Sequence, residues 1–239
     1  MHQCLHIRLK ALQMTYLTGN RVFGIAAAAI VATAFAGAAS ADVINIDSGP
    51  GNEEQCTVFA TEDPCTTIAI EAHPQWQEDG PGGSDAVWVS YADTGYRGAD
   101  PTPDDSKENP VFILVEEFEV GSDSVLDFLI WADDTARVVL SGAGGVIASI
   151  DPNFSQNICA DGPIGCEEDE WGQLLADLSA GRYEITMEIF QVGTGETTTN
   201  NPFGVLYSGT VSSVPEPGTL ALLGLGLIGM GVARRGRVK

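Results

Sequence analysis

Basic side chains are almost missing from the middle of this chain. Between Asp42 and Val214 only Arg97, Lys107, Arg137 and Arg182 stand against 32 acidic residues, a formal charge of −28. A surface of that sign repels phosphate backbones and anionic lipid headgroups, which excludes DNA and RNA as partners and suits solubility outside the cell or in salty water. Histidine is scarce as well, His73 being the one imidazole in that span. Zinc sites need several converging thiolates or imidazoles, so zinc is not expected. A Ser-His-Asp triad has nothing to support it, since Gly82-Gly83-Ser84-Asp85-Ala86 imitates a nucleophile elbow without its second flanking glycine. Convincing long soluble helices are lacking, and so are internal repeats. Long apolar runs occur near the two ends and nowhere between.

The first of those runs follows Arg21, spans residues 22–38, is rich in alanine, and leads into Ala39-Ser40-Ala41 before Asp42. Basic residue, apolar stretch and A-x-A site in that order read as a secretory signal peptide cleaved after Ala41, so residues 1–41 are a leader. Residues 1–13 are surplus to it, and Met14 as the true start leaves a leader of 28 residues. The second run begins behind Pro215-Glu216-Pro217, where two prolines fix φ and withhold backbone donors, keeping the chain extended and readable. Residues 219–233 then carry no charge, and at about 1.5 Å per residue a helix there is roughly 22 Å long. With snorkelling arginines, residues 217–233 come close to spanning a hydrocarbon core of about 30 Å. Arg234, Arg235, Arg237 and Lys239 place the terminal charge on the cytoplasmic side. Gly224-Leu-Gly226-Leu-Ile-Gly229 matches a dinucleotide-binding fingerprint in letters only, because no strand precedes it and no acidic ribose partner can follow.

Pro-Glu-Pro, a glycine-rich apolar helix and an arginine cluster, in that order over residues 214–239, closely resemble the PEP-CTERM sorting signal of Gram-negative bacteria. The resemblance implies recognition by an exosortase, a membrane-embedded cysteine transpeptidase or protease, and release or transfer at the cell surface. It also implies association with exopolysaccharide and biofilm matrix.

Between the two ends, residues 42–213 are expected to form one domain. Apolar and polar residues alternate repeatedly: Tyr183, Ile185, Met187 and Ile189 share one face of a strand while Glu184, Thr186 and Glu188 share the other. Leu126, Phe128 and Ile130 point inward with Asp127 outward, and an Asp133-Asp134 turn leads to a strand over 136–140, together read as a hairpin. Further strands are expected at 43–46, 66–70, 86–91, 111–120, 145–150 and 203–211. Residues 95–109, 151–172 and 193–201 read as loops. Short strands with Gly, Pro and Asp between them point to an all-β, jelly-roll-like β-sandwich ectodomain, flanked by an N-terminal signal helix and a C-terminal transmembrane helix.

A looser resemblance covers about 85–211. Ala86-Val87-Trp88-Val89-Ser90, Leu129-Ile130-Trp131-Ala132-Asp133-Asp134, Gly181-Arg182-Tyr183-Glu184-Ile185 and Pro202-Phe203-Gly204-Val205-Leu206 are similar to the jelly-roll, galactose-binding-like ectodomain of many PEP-CTERM proteins. Members often carry Asn-Gly after the Asp-containing turn. Here Ser141-Gly142 keeps the glycine and loses the amide.

Four cysteines remain in the exported part, an even number in an oxidising compartment. Three connectivities are open, and spacing favours Cys56 with Cys65 and Cys159 with Cys166. Carboxylates at Asp133, Asp134, Asp161, Glu167 and Asp169 are candidate calcium ligands, although neither acidic segment has the order of an EF-hand loop. Trp88 and Trp131 sit in strand patterns and read as packing. Trp76 and Trp171 sit in loop-like sequence and are candidate sugar platforms, because a flat ring stacks on pyranose C–H faces while flanking acids accept hydroxyl protons. The resulting expectation is an exported, non-enzymatic surface or matrix protein, structural or polysaccharide-binding. Its partners are a sorting enzyme, extracellular polysaccharide, and the membrane before processing. The alternative is a secreted carbohydrate-active hydrolase using two carboxylates. Glu116-Glu117 cannot be that pair, since neighbours in a strand face opposite ways.

Overall fold

A computed structural model describes residues 42–100, 108–152, 154, 164–192, 201–214 and 226. Its strands are β1 (Val43–Asp47), β2 (Gln55–Val58), β3 (Asp63–Pro64), β4 (Ile68–Ala69), β5 (Val89–Ser90), β6 (Phe112–Val120), β7 (Ser124–Asp133), β8 (Thr135–Gly142), β9 (Gly145–Ile150), β10 (Gly172–Leu178), β11 (Gly181–Phe190) and β12 (Gly204–Ser213). They form two antiparallel sheets. One runs β10-β7-β12-β5-β4, with β1 also paired to β12, and the other runs β3-β2-β6-β11-β8-β9. From β6 to β12 the chain passes back and forth between these sheets, the crossing habit of a jelly roll. The fold is the all-β sandwich that alternation implied.

Period-2 patterning decides which side chains meet. Leu126, Phe128, Ile130 and Ala132 of β7 and Val205, Tyr207 and Val211 of β12 face Phe112, Leu114 and Phe118 of β6 and Ile185, Met187 and Ile189 of β11, all buried in one core between the sheets. The residues of opposite phase, Trp131 on β7 and Leu206 on β12, are buried too, in a second cluster with Ile70, Trp76, Ala86, Trp88 and Cys166. Loop residues thus cover part of the outer face of the first sheet. Compact packing unites Ser40–Pro215.

Three sequence expectations change. Residues 126–130 and 136–140 are not a hairpin: β7 pairs with β10 and β12, β8 with β11 and β9. The chain crosses from one sheet to the other at Asp133-Asp134, where sandwich corners form and a two-residue hairpin does not. Asp133 and Asp134 are correspondingly buried, 4% and 5% exposed. Secondly, β10 occupies residues that had read in part as loop and in part as nothing regular. Its inward positions Leu174 and Leu178 do follow period 2, but exposed Leu175 breaks the polar alternation. Thirdly, strands expected over 66–70 and 86–91 shrink to two paired residues each, Ile68–Ala69 and Val89–Ser90.

Candidate functional site

Ile164 and residues 165–171 lead into β10 and are fastened at several points. Ala132 N–H donates to the Gly165 carbonyl at 2.8 Å, and Gln77 N–H donates to the Cys166 carbonyl at 2.7 Å. Inside the segment Gly165 N–H donates to the Glu170 carbonyl at 2.8 Å, and Glu167 N–H to Glu170 Oε2 at 3.1 Å. Cys166 is buried and disulfide-bonded, its partner lying outside the described residues. Gly172 opens β10 where a Cβ would come within 2.5 Å of Ile164 Cγ1. The missing side chain lets Ile164 seat against the sheet, and the acidic turn is held with it.

This anchoring leaves Trp171 44% exposed beside its own acidic turn. Gln75, Glu167, Glu168, Asp169 and Trp171 line a cavity of about 530 Å³. A neighbouring cavity of about 480 Å³ shares Gln75 and Glu168 with it and is otherwise lined by Pro74, Trp76, Gln77 and Glu78. An apolar ring beside carboxylate and amide acceptors can stack on a sugar face and take hydroxyl protons. Burial pushes the Glu170 carboxyl up, backbone hydrogen bonding opposing it. A third, polar groove of about 350 Å³ lies on the outer face of the first sheet, among Asp47, Asp127, Ser208 and the Pro81–Gly83 turn, and has no aromatic lining.

Trp76 is a correction to the sequence reading. It is 6% exposed and lies against Trp88, ring centroids 4.2 Å apart, so its large face is spent on packing. Trp88, fully buried, donates its indole N–H to the Gln77 carbonyl at 2.7 Å. The two loop tryptophans that looked alike in sequence therefore part company, and of the two only Trp171 keeps an exposed ring.

The calcium candidates also divide. Asp134 Oδ2 accepts Gln191 Nε2 at 2.8 Å and Val192 N–H at 2.7 Å, which commits it to holding the end of β11. Burial, and then the adjacent Asp134 carboxylate, hold Asp133 well above the usual carboxylate range, while Trp76 donates to it. These two acids read as structural corner residues. Glu167 and Asp169 line the Trp171 cavity, and Asp161 lies outside the described residues. Among the described residues no three Asp, Glu, His or Cys side chains converge as a metal site.

Glu116, set aside in sequence as half of a pair facing opposite ways, has a buried setting that the sequence did not reveal. Glu116 has the inward phase of β6, and Tyr207 O–H from the opposite sheet donates to Glu116 Oε1 at 2.6 Å. Burial raises its pKa to about 7, with the Tyr207 bond lowering it and Glu53 and Glu54 raising it. A polar letter at an inward position between Leu114 and Phe118 was the available signal. Glu117 is exposed, the opposite orientation that strand geometry requires.

Cys56 and Cys65 are bonded, the connectivity that spacing favoured. The leader site Ala39 and Ala41, Cys159, the Pro215-Glu216-Pro217 tripeptide and Arg234, Arg235 and Arg237 lie outside the described residues. No described helix is long and apolar enough to cross a membrane, and the expected transmembrane segment falls outside the residues searched.

Residues 213–237 match the family described as the PEP-CTERM protein-sorting motif. This tail is a PEP-CTERM sorting motif. It begins at Ser213, the last residue of β12, so the PEP-CTERM segment continues directly from a paired strand of the sandwich. No curated protein matches the chain. Solved structures similar to it include a family 35 carbohydrate-binding module from Clostridium thermocellum, 8% identical, covering 70% of this chain and 97% of that one, TM-score 0.34. The C-terminal CBM6 of a marine enzyme from Zobellia galactanivorans is 10% identical over 72% of this chain and 100% of its own, TM-score 0.31. A module of Cellvibrio mixtus lichenase 5A, solved with cellotriose, is 11% identical over 72% and 98%, TM-score 0.31. At such scores the likeness carries no argument about ligands, and the sandwich assignment stands on the strand pairing itself.

Proposed function

We propose that the protein is an exported, non-enzymatic component of the cell surface or extracellular matrix of a Gram-negative bacterium. In this reading residues 1–41 are removed as a leader, an exosortase-type enzyme processes the PEP-CTERM segment, and residues 42–213 are the working domain. The sorting motif at 213–237 supports export. The molecular activity proposed is polysaccharide binding at the cavity beside Trp171. The single observation carrying it is the exposed indole, 44% accessible on an anchored turn, next to Gln75 and three carboxylates. Those carboxylates disfavour uronic acids and sulfated sugars through like-charge repulsion and favour neutral polymers rich in hydroxyl donors.

The test is affinity electrophoresis of residues 42–213 in gels containing neutral or acidic polysaccharides, with Trp171→Ala beside it. Retardation by a neutral polymer that disappears in the variant supports the reading. Equal mobility of both proteins in every polymer overturns it, and release of reducing sugar from any polymer would instead establish the hydrolase.

A further inference from the structure

Most of the outermost strands of the two sheets are blunted. Asp47 lies on β1, Asp63 on β3 and Asp177 on β10, and β4 is two residues long. Charge and shortness are ordinary ways of keeping an exposed strand edge from pairing with another chain. β9 has neither. It runs for six residues, Gly-Val-Ile-Ala-Ser-Ile, and ends its sheet with β8 on one side. Among the described residues no other backbone group hydrogen-bonds to it. Opposite the step from Leu140 to Ser141 it holds one extra residue, since Leu140 pairs with Ala148 and Ser141 with Val146. Two consecutive apolar side chains reach solvent as a result, Val146 at 69% exposure and Ile147 at 46%. The bulge is confined to that step, and Ala148, Ser149 and Ile150 stay in regular register with β8.

The edge is uncharged as well. No ionisable side chain occurs from Val138 to Ile150, a span that takes in most of β8, the glycine-rich turn and all of β9. Residues 42–214 as a whole carry −28, and copies of one such protein repel each other wherever their acids face. At the end of the strand Arg137 offsets the nearest acids, its Nε 3.6 Å from Asp151 Oδ1 and its Nη1 2.7 Å from Glu188 Oε2. The β9 edge is thus a place where a second strongly acidic chain can come close without acid meeting acid.

We propose that the β9 edge is an interaction surface for a second copy of this chain, the two β9 strands pairing antiparallel so that two six-stranded sheets become one. A strand that pairs antiparallel with its own copy does so about a twofold axis, so the contact is self-complementary and closes at two chains. In any such register that pairs four or more of the six residues, Asp151 falls opposite one of residues 142–146 of the second copy, none of them charged. In the central register it meets Gly144, where the surrounding space is open. Six residues give about 20 Å of edge, and this is less contact than a standard interface of about 1,600 Å². A dimer of micromolar affinity is therefore expected. The contact is independent of the Trp171 cavity, to which β9 contributes no residue.

Sedimentation velocity on residues 40–215, the compact unit with its own core, from low micromolar to near-millimolar concentration tests this. A monomer–dimer equilibrium is expected, tightening as NaCl rises from about 0.05 to 1 M because screening relieves the repulsion between the copies. Val146→Glu puts one acid on each side of the twofold and should weaken dimerisation about tenfold or more. Val43→Glu adds the same charge at an exposed position of β1, in the other sheet, and should leave the equilibrium nearly unchanged. Both variants should keep the wild-type Tm; if Val146→Glu does not fold, Ser149→Glu, exposed on the same edge, takes its place. Monomer alone at every concentration and salt overturns the proposal. So does a series growing past the dimer, association that weakens with salt, or an equal loss in the β1 variant.

Discussion

Trp76 is 6% exposed and Trp171 44%, and truncation should affect the two differently. Trp76→Ala removes a ring packed on Trp88 and should cost about 3–5 kcal/mol, visible as a large fall in Tm. Trp171→Ala should leave Tm nearly unchanged and weaken binding to a neutral polysaccharide by about tenfold or more. Equal losses of stability would remove the distinction. Glu116 makes a pH prediction. Its folded pKa is raised to about 7 from an ordinary value near 4.5, so its neutral form favours the fold and this advantage is lost as pH rises through the interval between them. Relative to wild type, Glu116→Gln should therefore gain more Tm at pH 8 than at pH 4.5. A difference independent of pH would show that the carboxyl titrates normally. Neither residue could be assigned from its letter. Trp76 and Trp171 share loop-like surroundings in sequence, and only the tertiary packing of 70–88 over the first sheet separates them.

At the scale of elements, the period-2 segments later seen as β6, β7, β8, β11 and β12 were legible because each buries a face, and alternation is the direct record of that. Their partners were less legible. Asp133-Asp134 looks like a hairpin turn, yet both side chains are buried and the chain changes sheets there, since strand pairing over long sequence separations is chosen by packing of whole faces. β10 was missed because exposed Leu175 blurs its alternation. Its first residue is a sensitive point: Gly172→Ala puts a Cβ within 2.5 Å of Ile164, and crowding of this kind costs typically 1–3 kcal/mol. Lower Tm together with weakened sugar binding is expected, because the same residue seats the turn carrying Trp171. Unchanged binding would show that the turn is held without it. The bond between Cys56 on β2 and Cys65 closes a short loop with a sequence separation of 9. A Cys56→Ser/Cys65→Ser variant should lose about 2–3 kcal/mol, measured by denaturant unfolding.

For the whole molecule, the −28 charge of residues 42–214 is a standing self-repulsion. Raising NaCl from about 0.05 to 1 M shortens the Debye length to about 3 Å and should raise Tm steadily. A flat Tm would mean that the acids are spaced widely enough to be screened already. Calcium chloride at matched ionic strength separates this general screening from a bound ion.

Composition and local pattern alone determined the exported character, the sorting tail, the acidic surface and the all-β class. Each of these is a property of a short segment or of a sum over residues, and needs no knowledge of what folds against what. The tertiary structure decided which tryptophan is free, which aspartates are entombed, where the chain changes sheets, and that Asp42 lies beside Ser213. Those facts join residues far apart in the chain, as in the hydrogen bond from Asp42 to Ser213 across 171 positions. Burial and register between such distant segments are settled when two faces close on one another, and neither segment's sequence carries that information by itself.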